Sequence, residues 1–420
     1  MSAEATDLDR FAELDRRLVA AVKGIKLLSL VSWPASVQAT FLAAWHSGRP
    51  QLPNVEYERN DYCATRAELE AVFLAAAPGH AVGDYLRRTA QSWRIATELL
   101  DAVGTPAVSE HSIRLFGRPG DLLPGGSVSN LDAAQHFIEL ANELARELVS
   151  NDADFCIPAE VLRDELQREI SAFFTAHKVT VEIDANLIAK AAAGPTRIRL
   201  RSSTCFSEYD KHQLLEHEAF VHSLTALNGR EQPNLKSLAL NSPRITATQE
   251  GLATFAELMS GSIDIGRMKR ISLRIVAIHM ALAGADFIDV FRFFNDSGQT
   301  DTDSFTSAMR VFRGAPLTGG AAFTKDTVYL HGLLSVHTFF RWALKNQKLK
   351  LCRSLFAGKM ALHDVLALEP YFDSGYITAP MYLPPWVQQA NGMAGMLAFS
   401  LFANRIRLDK VVAEDLVLGV

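Results

Sequence analysis

The sequence is poor in cysteine. Four occur in 420 residues, Cys63, Cys156, Cys205 and Cys352, scattered and with no C-x-x-C pair. That pattern excludes a cysteine zinc site and suggests no disulfide framework, so a cytoplasmic, reducing compartment is expected. A basic excess is missing too. Lys and Arg number 42 against 47 Asp and Glu, a net charge of -5, which argues against a nucleic-acid partner. Long apolar runs are absent: 271–285 is interrupted by Arg274 and His279, and 393–403 is short. Neither reaches about 18 uninterrupted apolar residues, so no membrane span or membrane partner is expected. The start, Met1-Ser2-Ala3-Glu4-Ala5-Thr6-Asp7, is acidic and polar, unlike a secretory signal. No G-x-S-x-G elbow, phosphate loop or dinucleotide fingerprint occurs, which removes the main signatures of serine hydrolases and nucleotide enzymes. The glycine- and proline-rich stretch 116–127 is turn-forming sequence. Internal repeats and low-complexity segments are also lacking.

What remains is an ordinary globular composition, 48% hydrophobic and 21% charged, on a chain long enough for a large core and two lobes. Helical periodicity covers 8–25, 66–77 and 82–103. Asn130 is a candidate cap for a helix over 131–149, and polar residues 150–154 suggest a boundary. We therefore expect an N-terminal helical lobe over 1–155 and a catalytic lobe over 156–420. Pro158 starts a helix to about 175. The runs 179–183 and 197–201 alternate with period two and read as strands. Helical patterns return over 268–282, 287–294 and 303–312. The expected class is α+β, predominantly helical, with one small sheet.

The densest chemistry is His217-Glu218-Ala219-Phe220-Val221-His222. The zinc-peptidase helix motif H-E-x-x-H places its histidines four residues apart. Here the spacing is five. Four steps of about 100° leave two side chains about 40° apart, whereas five leave them about 140° apart. A π-bulge near residues 219–221 would swing His222 back beside His217, and such bulges are frequent at functional sites. A competing register, His212 with Glu216 and His217, gives an inverted motif with the same insertion. A catalytic zinc site also needs a third protein ligand. Glu250 is the candidate, early in a helix capped by Thr246 or Thr248 and carrying an apolar stripe of Leu252, Phe255, Ala256 and Met259. Glycine inside a helix costs about 1 kcal/mol relative to alanine. Gly251 is explained if it permits close helix–helix approach, which carries Glu250 to the histidines.

These residues resemble a known family. H-E-x-x-x-H, then Gln249-Glu250-Gly251-Leu252-Ala253, then Phe323-Thr324-Lys325-Asp326 with Tyr329, is similar to the bacterial proteins named for a QEGLA motif and for modulating flavohaemoglobin expression. Their eukaryotic relatives are the microtubule-associated tyrosine carboxypeptidases. The resemblance runs from about Val179 to the C-terminus. It implies a zincin-like metallopeptidase core with one Zn²⁺ per chain, His217, His222 and Glu250 as ligands, and Glu218 as catalytic base. In zinc peptidases of that shape an edge strand lines the cleft, and 197–201 is the candidate for it, or else an ordinary edge protected by its charges.

A carboxypeptidase acting on a peptide or protein C-terminus must hold a carboxylate. Arg310, Arg313 and Lys325 are the candidates, because bidentate arginine or a lysine point charge suits that group. Tyr329 and His331 are candidate donors to the developing oxyanion. The alternative is a metal-binding regulatory protein without turnover, with the basic clusters 267–270 and 345–350 as partner surfaces or solvated faces.

Overall fold

The computed structural model describes residues 3–144, 156–185, 187, 190–202 and 204–406. The first third is helical, as its periodicity predicts. Ala3–Val22, Ala35–His46 and Cys63–Ala75 precede α1 (Ala81–Asp101), whose Tyr85, Leu86, Trp93 and Leu99 are buried. Against expectation, the stretch 7–46 contains a window that is long and apolar enough to cross a membrane by length and composition. The chain there is divided into separate helices, and Phe11, Leu14, Leu18, Trp33 and Phe41 are buried against other parts of the protein.

α2 (Asn130–Leu144) begins where expected, but Asn130 is not its cap. Ser129 Oγ accepts from the Asp132 N–H at 3.1 Å, while the buried Asn130 Nδ2 donates to the Thr327 carbonyl at 3.0 Å. A short polar residue at a helix start satisfies a free N–H wherever one is within reach; here the neighbour takes that role and Asn130 ties α2 to a distant turn. The expected end of this helix at 149 and the boundary at 150–154 lie outside the described residues.

A three-stranded sheet follows: β1 (Thr180–Asp184), β2 (Ala191–Ala193) and β3 (Arg197–Arg201), in the order β1-β3-β2. β3 pairs parallel with β1 and antiparallel with β2. The run 197–201 is therefore the central strand and not the edge expected from its sequence. Ile198 and Leu200 are buried in the core, and Arg199 pairs with Asp184 on the neighbouring strand at 2.9 Å. The edges are β1 and β2, and the one against the histidine helix is β2, whose three alanines show no alternation to read.

The cysteines also depart from expectation. Cys156 and Cys205 form a disulfide, brought together by the Ile157–Phe206 bridge with N–H···O bonds of 2.8 and 3.1 Å. Cys63 and Cys352 are free. The argument from scattered thiols for a reducing compartment falls with this pairing.

Five helical elements position the site. α3 runs from Glu208–Leu214 through a π-helical stretch, Leu215–Ser223, into Leu224–Glu231. α4 (Thr246–Met259), α5 (Ile265–Leu282) and α6 (Asp301–Phe312) follow, then α7 (Val328–Lys345) after the short turn Thr324–Thr327. Neither Thr246 nor Thr248 caps α4. The helix is entered through the turn Pro243–Ile245, and Thr248 Oγ1 instead accepts from the Leu362 N–H at 3.2 Å. Three of the four apolar clusters among the described residues draw side chains from both sides of position 155. The helices of the first third thus share their cores with the rest of the chain.

Candidate metal centre

The five-residue histidine spacing is resolved by helix type. A π-helix bonds each N–H five residues back, and the Leu224 N–H donates to the Ala219 carbonyl. The wider turn brings the rings of His217 and His222 to a centroid distance of 4.8 Å. Thr225 Oγ1 donates to the Val221 carbonyl at 2.7 Å and lies 3.0 Å from the Gln249 side-chain amide, which ties this turn to α4.

The residues 249–253 have separable tasks. Gln249 holds Thr225 on α3. Gly251 meets Gly332 of α7, where an added Cβ would lie 2.2 Å from the Gly332 carbonyl carbon. Leu252 and Ala253 are fully buried. Glu250 is left facing the histidines, with Oε2 3.6 Å from Nε2 of both His217 and His222. These three residues each offer one ligand atom within 4.8 Å of the others, and the group could hold a metal ion. The donor set, two imidazoles and one carboxylate, suits zinc with an open coordination position. His212 is exposed and lines a separate hollow with Tyr209 and Ser260. The geometry therefore favours the forward register.

Behind the first histidine stands a residue that sequence reasoning missed. Glu257, fully buried, lies 2.6 Å from His217 Nδ1 and accepts from Arg267 Nε and Nη2, both at 3.2 Å. A proton on Nδ1 satisfies Glu257 and leaves Nε2 free toward Glu250, the arrangement by which outer carboxylates orient metal-binding imidazoles. Burial raises the Glu257 carboxyl, but Arg267 and His217 outweigh it and hold it down at about 2. A signal was available: Glu257 follows Glu250 by seven residues, which is two helical turns on one face. Arg267, expected on a partner surface or a solvated face, turns inward for this pair. Of the second basic cluster, Lys348 and Lys350 pair with Glu369 and Asp373. Replacing Glu257 with glutamine is expected to weaken zinc affinity by about 10–100-fold. Competition with a chromophoric chelator measures this; an unchanged affinity would remove Glu257 from the centre.

Glu218 sits on the same π-helical stretch, and its Oε2 accepts from the Ala193 N–H of β2 at 3.0 Å. On the other side, Lys325 Nζ donates to Glu250 Oε1 at 2.7 Å and to the Tyr329 hydroxyl at 3.3 Å. Burial acts to raise the Glu250 carboxyl, but Lys325 and the two histidines hold it well below the usual carboxylate range. Arg310 grips Asp326 through two bonds, 2.6 and 2.7 Å, and reaches the Tyr329 hydroxyl at 3.4 Å. Arg274 lies 3.7 Å from Asp326. Burial, with Arg310 adding repulsion, pushes both Arg274 and Arg313 down to about 10. The structure thus gathers Lys325, Arg310 and Tyr329 into one hydrogen-bonded cluster, with Lys325 against Glu250; Arg313 makes no ion pair among the described residues, and its Nε has no hydrogen-bond partner. His331 is not brought into the cluster. Two helical steps of about 100° turn it away from Tyr329, and its contact is Ser335 on its own helix, at 3.3 Å.

With this geometry in hand, comparison with known proteins gives a family. The sequence profile described as "Microtubule-associated tyrosine carboxypeptidase" matches residues 39–405. No curated protein matches the chain significantly. The chain belongs to this family, whose name describes a carboxypeptidase, and the match reaches well into the helical first third, beyond the span of the motifs.

Proposed function

We propose that this family member is a zinc-dependent metallopeptidase of zincin-like core that removes one residue from a peptide or protein C-terminus. The observation that carries the reading is the convergence of His217, His222 and Glu250, from two helices, with Glu218 beside them. His217, His222 and Glu250 would hold the ion. When bound, zinc lowers the pKa of a water toward neutrality and polarises the scissile carbonyl.

The protein's own groups do the rest. Glu218 accepts the water proton and delivers it to the leaving amine. The Ala193 N–H fixes Glu218 by one carboxylate oxygen, so the other is the proton acceptor. Tyr329, with Lys325 and Arg310 donating to its hydroxyl oxygen, turns its own proton outward toward the developing oxyanion. Lys325 keeps Glu250 ionised. Arg310 and Arg313 supply positive potential behind Tyr329, which favours an anionic substrate end. β2 is the edge at which an extended peptide adds by backbone hydrogen bonds, through its outward-facing groups other than the Ala193 N–H, which Glu218 holds.

Protein purified without added metal is expected to carry about one zinc per chain, by the single open site of this ligand type. His222→Ala loses it and His212→Ala keeps it. A metal-free protein that also takes up none from a zinc buffer removes the basis of the reading. The same loading followed by a C-terminal peptide library identifies the residue cut.

A further inference from the structure

A second concave site lies apart from the metal centre. A cavity of about 380 Å³ is lined by residues of α1, of the helix Ala107–Phe116 and of the turn Pro243–Ile245 that leads into α4. That is the size of an ordinary small-molecule site. None of its lining residues belongs to the metal centre or to the cluster around Tyr329. Four are arginines, Arg87, Arg88, Arg114 and Arg244, against one carboxylate, Asp84. α1 presents Asp84, Arg88, Gln91 and Ile95 to it, at the spacing of neighbours on one helix face.

The four guanidiniums are unequally committed. Arg244 grips the fully buried Asp364 through two bonds, 2.7 and 2.6 Å. Arg87 donates to the Phe73 carbonyl at 2.7 Å and lies over the Phe73 ring, 3.9 Å from its centroid. Arg88 has less. It reaches Asp364, which Arg244 already occupies, only at 3.7 Å, and its Nε is buried without a partner. Arg114, about half exposed, donates to Glu98 at 3.3 Å. Asp84 compensates none of them by an ion pair among the described residues; its Oδ1 accepts from the Gly79 N–H at 3.2 Å.

A buried N–H without an acceptor is costly and uncommon. Guanidinium presents its donors in a planar fork that matches phosphate. A phosphate monoester carries about -1.5 to -2 charges at neutral pH and three strong acceptor oxygens, enough to take forks from two arginines at once. The cavity is not polar throughout, since Phe73, Ile95 and Leu115 add apolar surface.

We propose that this cavity binds a small phosphorylated molecule, with the phosphate on Arg88 and Arg114 and the apolar part against Phe73, Ile95 and Leu115. The inference does not rest on the peptidase reading.

The test titrates the full-length, zinc-loaded chain by calorimetry with phenyl phosphate, inorganic phosphate and benzoate. One ionic strength throughout keeps screening equal. Phenyl phosphate is expected to bind one per chain. It binds about tenfold more tightly than inorganic phosphate, from the ring it buries, and about tenfold more tightly than benzoate, from its added charge-assisted bonds. Arg88→Met weakens phenyl phosphate about tenfold or more. Arg88→Lys, which keeps the charge and loses the fork, restores part of it. Thermal melting of the ligand-free variants reports folding. If Arg88→Met fails to fold, Arg114→Gln, on a half-exposed side chain, replaces it and is expected to weaken binding in the same direction. Zinc at the metal centre is the competing phosphate site. Phenyl phosphate binding that follows zinc content and ignores both arginines overturns the assignment. Benzoate that binds as tightly as phenyl phosphate overturns the choice of phosphate, and a chain that binds no phenyl phosphate overturns the site.

Discussion

Glu218→Gln is expected to leave zinc content unchanged and to lower peptide cleavage by about 10²–10⁴-fold, the usual contribution of a positioned general base. Glutamine keeps the shape of the side chain and can still accept from the Ala193 N–H, so the position of β2 is preserved. It cannot take a proton from water. The loss falls on kcat rather than on substrate binding, because the substituted group acts on the reacting water and not on the peptide. A pure metal-binding regulator has no use for a base next to its first histidine. Cleavage that survives the substitution would sink the mechanism, and a variant that loses zinc would show that Glu218 supports the centre instead.

The candidate metal group was legible because its spacing is anomalous in an informative way. Histidines five apart are incompatible with one ion on an α-helix, and the π-helical Leu215–Ser223 is the local solution. Gly251 was legible for a similar reason: a glycine inside a helix asks for a close neighbour, and Gly332 is that neighbour. The strand at the cleft was not. Arg197–Arg201 alternates clearly, but alternation reports which face is buried and not whether a strand is central. The edge strand that meets Glu218, Ala191–Ala193, has no pattern at all. The Cys156–Cys205 pair was hidden because 49 residues separate the partners and the Ile157–Phe206 bridge that brings them together leaves no signal in the spacing. Tyr329 and His331 looked equivalent in sequence, yet helix geometry sends them to different sides. Asn130 shows the same limit from another direction. A polar residue at a helix start satisfies whichever free group is nearest in space, and sequence does not say which that is.

Gly251→Ala is expected to damage both the fold and the centre. Two effects oppose each other. Alanine in a helix interior is favoured over glycine by about 1 kcal/mol. The new Cβ, however, would lie 2.2 Å from the Gly332 carbonyl carbon, 2.3 Å from its oxygen and 2.6 Å from its Cα. All three are backbone atoms, so no rotamer change relieves them. Ordinary contact between carbons begins near 3.5 Å, so α4 and α7 must separate by roughly 1 Å. Overpacking of this kind costs about 1–3 kcal/mol and occasionally more, which outweighs the gain in propensity. The same shift moves Glu250, the residue before Gly251, while His217 and His222 stay on α3. Metal–ligand distances tolerate about 0.2 Å, so zinc affinity falls by more than stability does. Chelator competition and thermal melting of the zinc-free protein separate the two losses. Gly395→Ala, in the helix Ala390–Ala403 where nothing lies within 4 Å of the new atom, is the control and is expected to be neutral or slightly stabilising. Wild-type zinc affinity in Gly251→Ala would mean that the helix crossing does not set the position of Glu250, and the closest interhelical approach in the site would need another explanation.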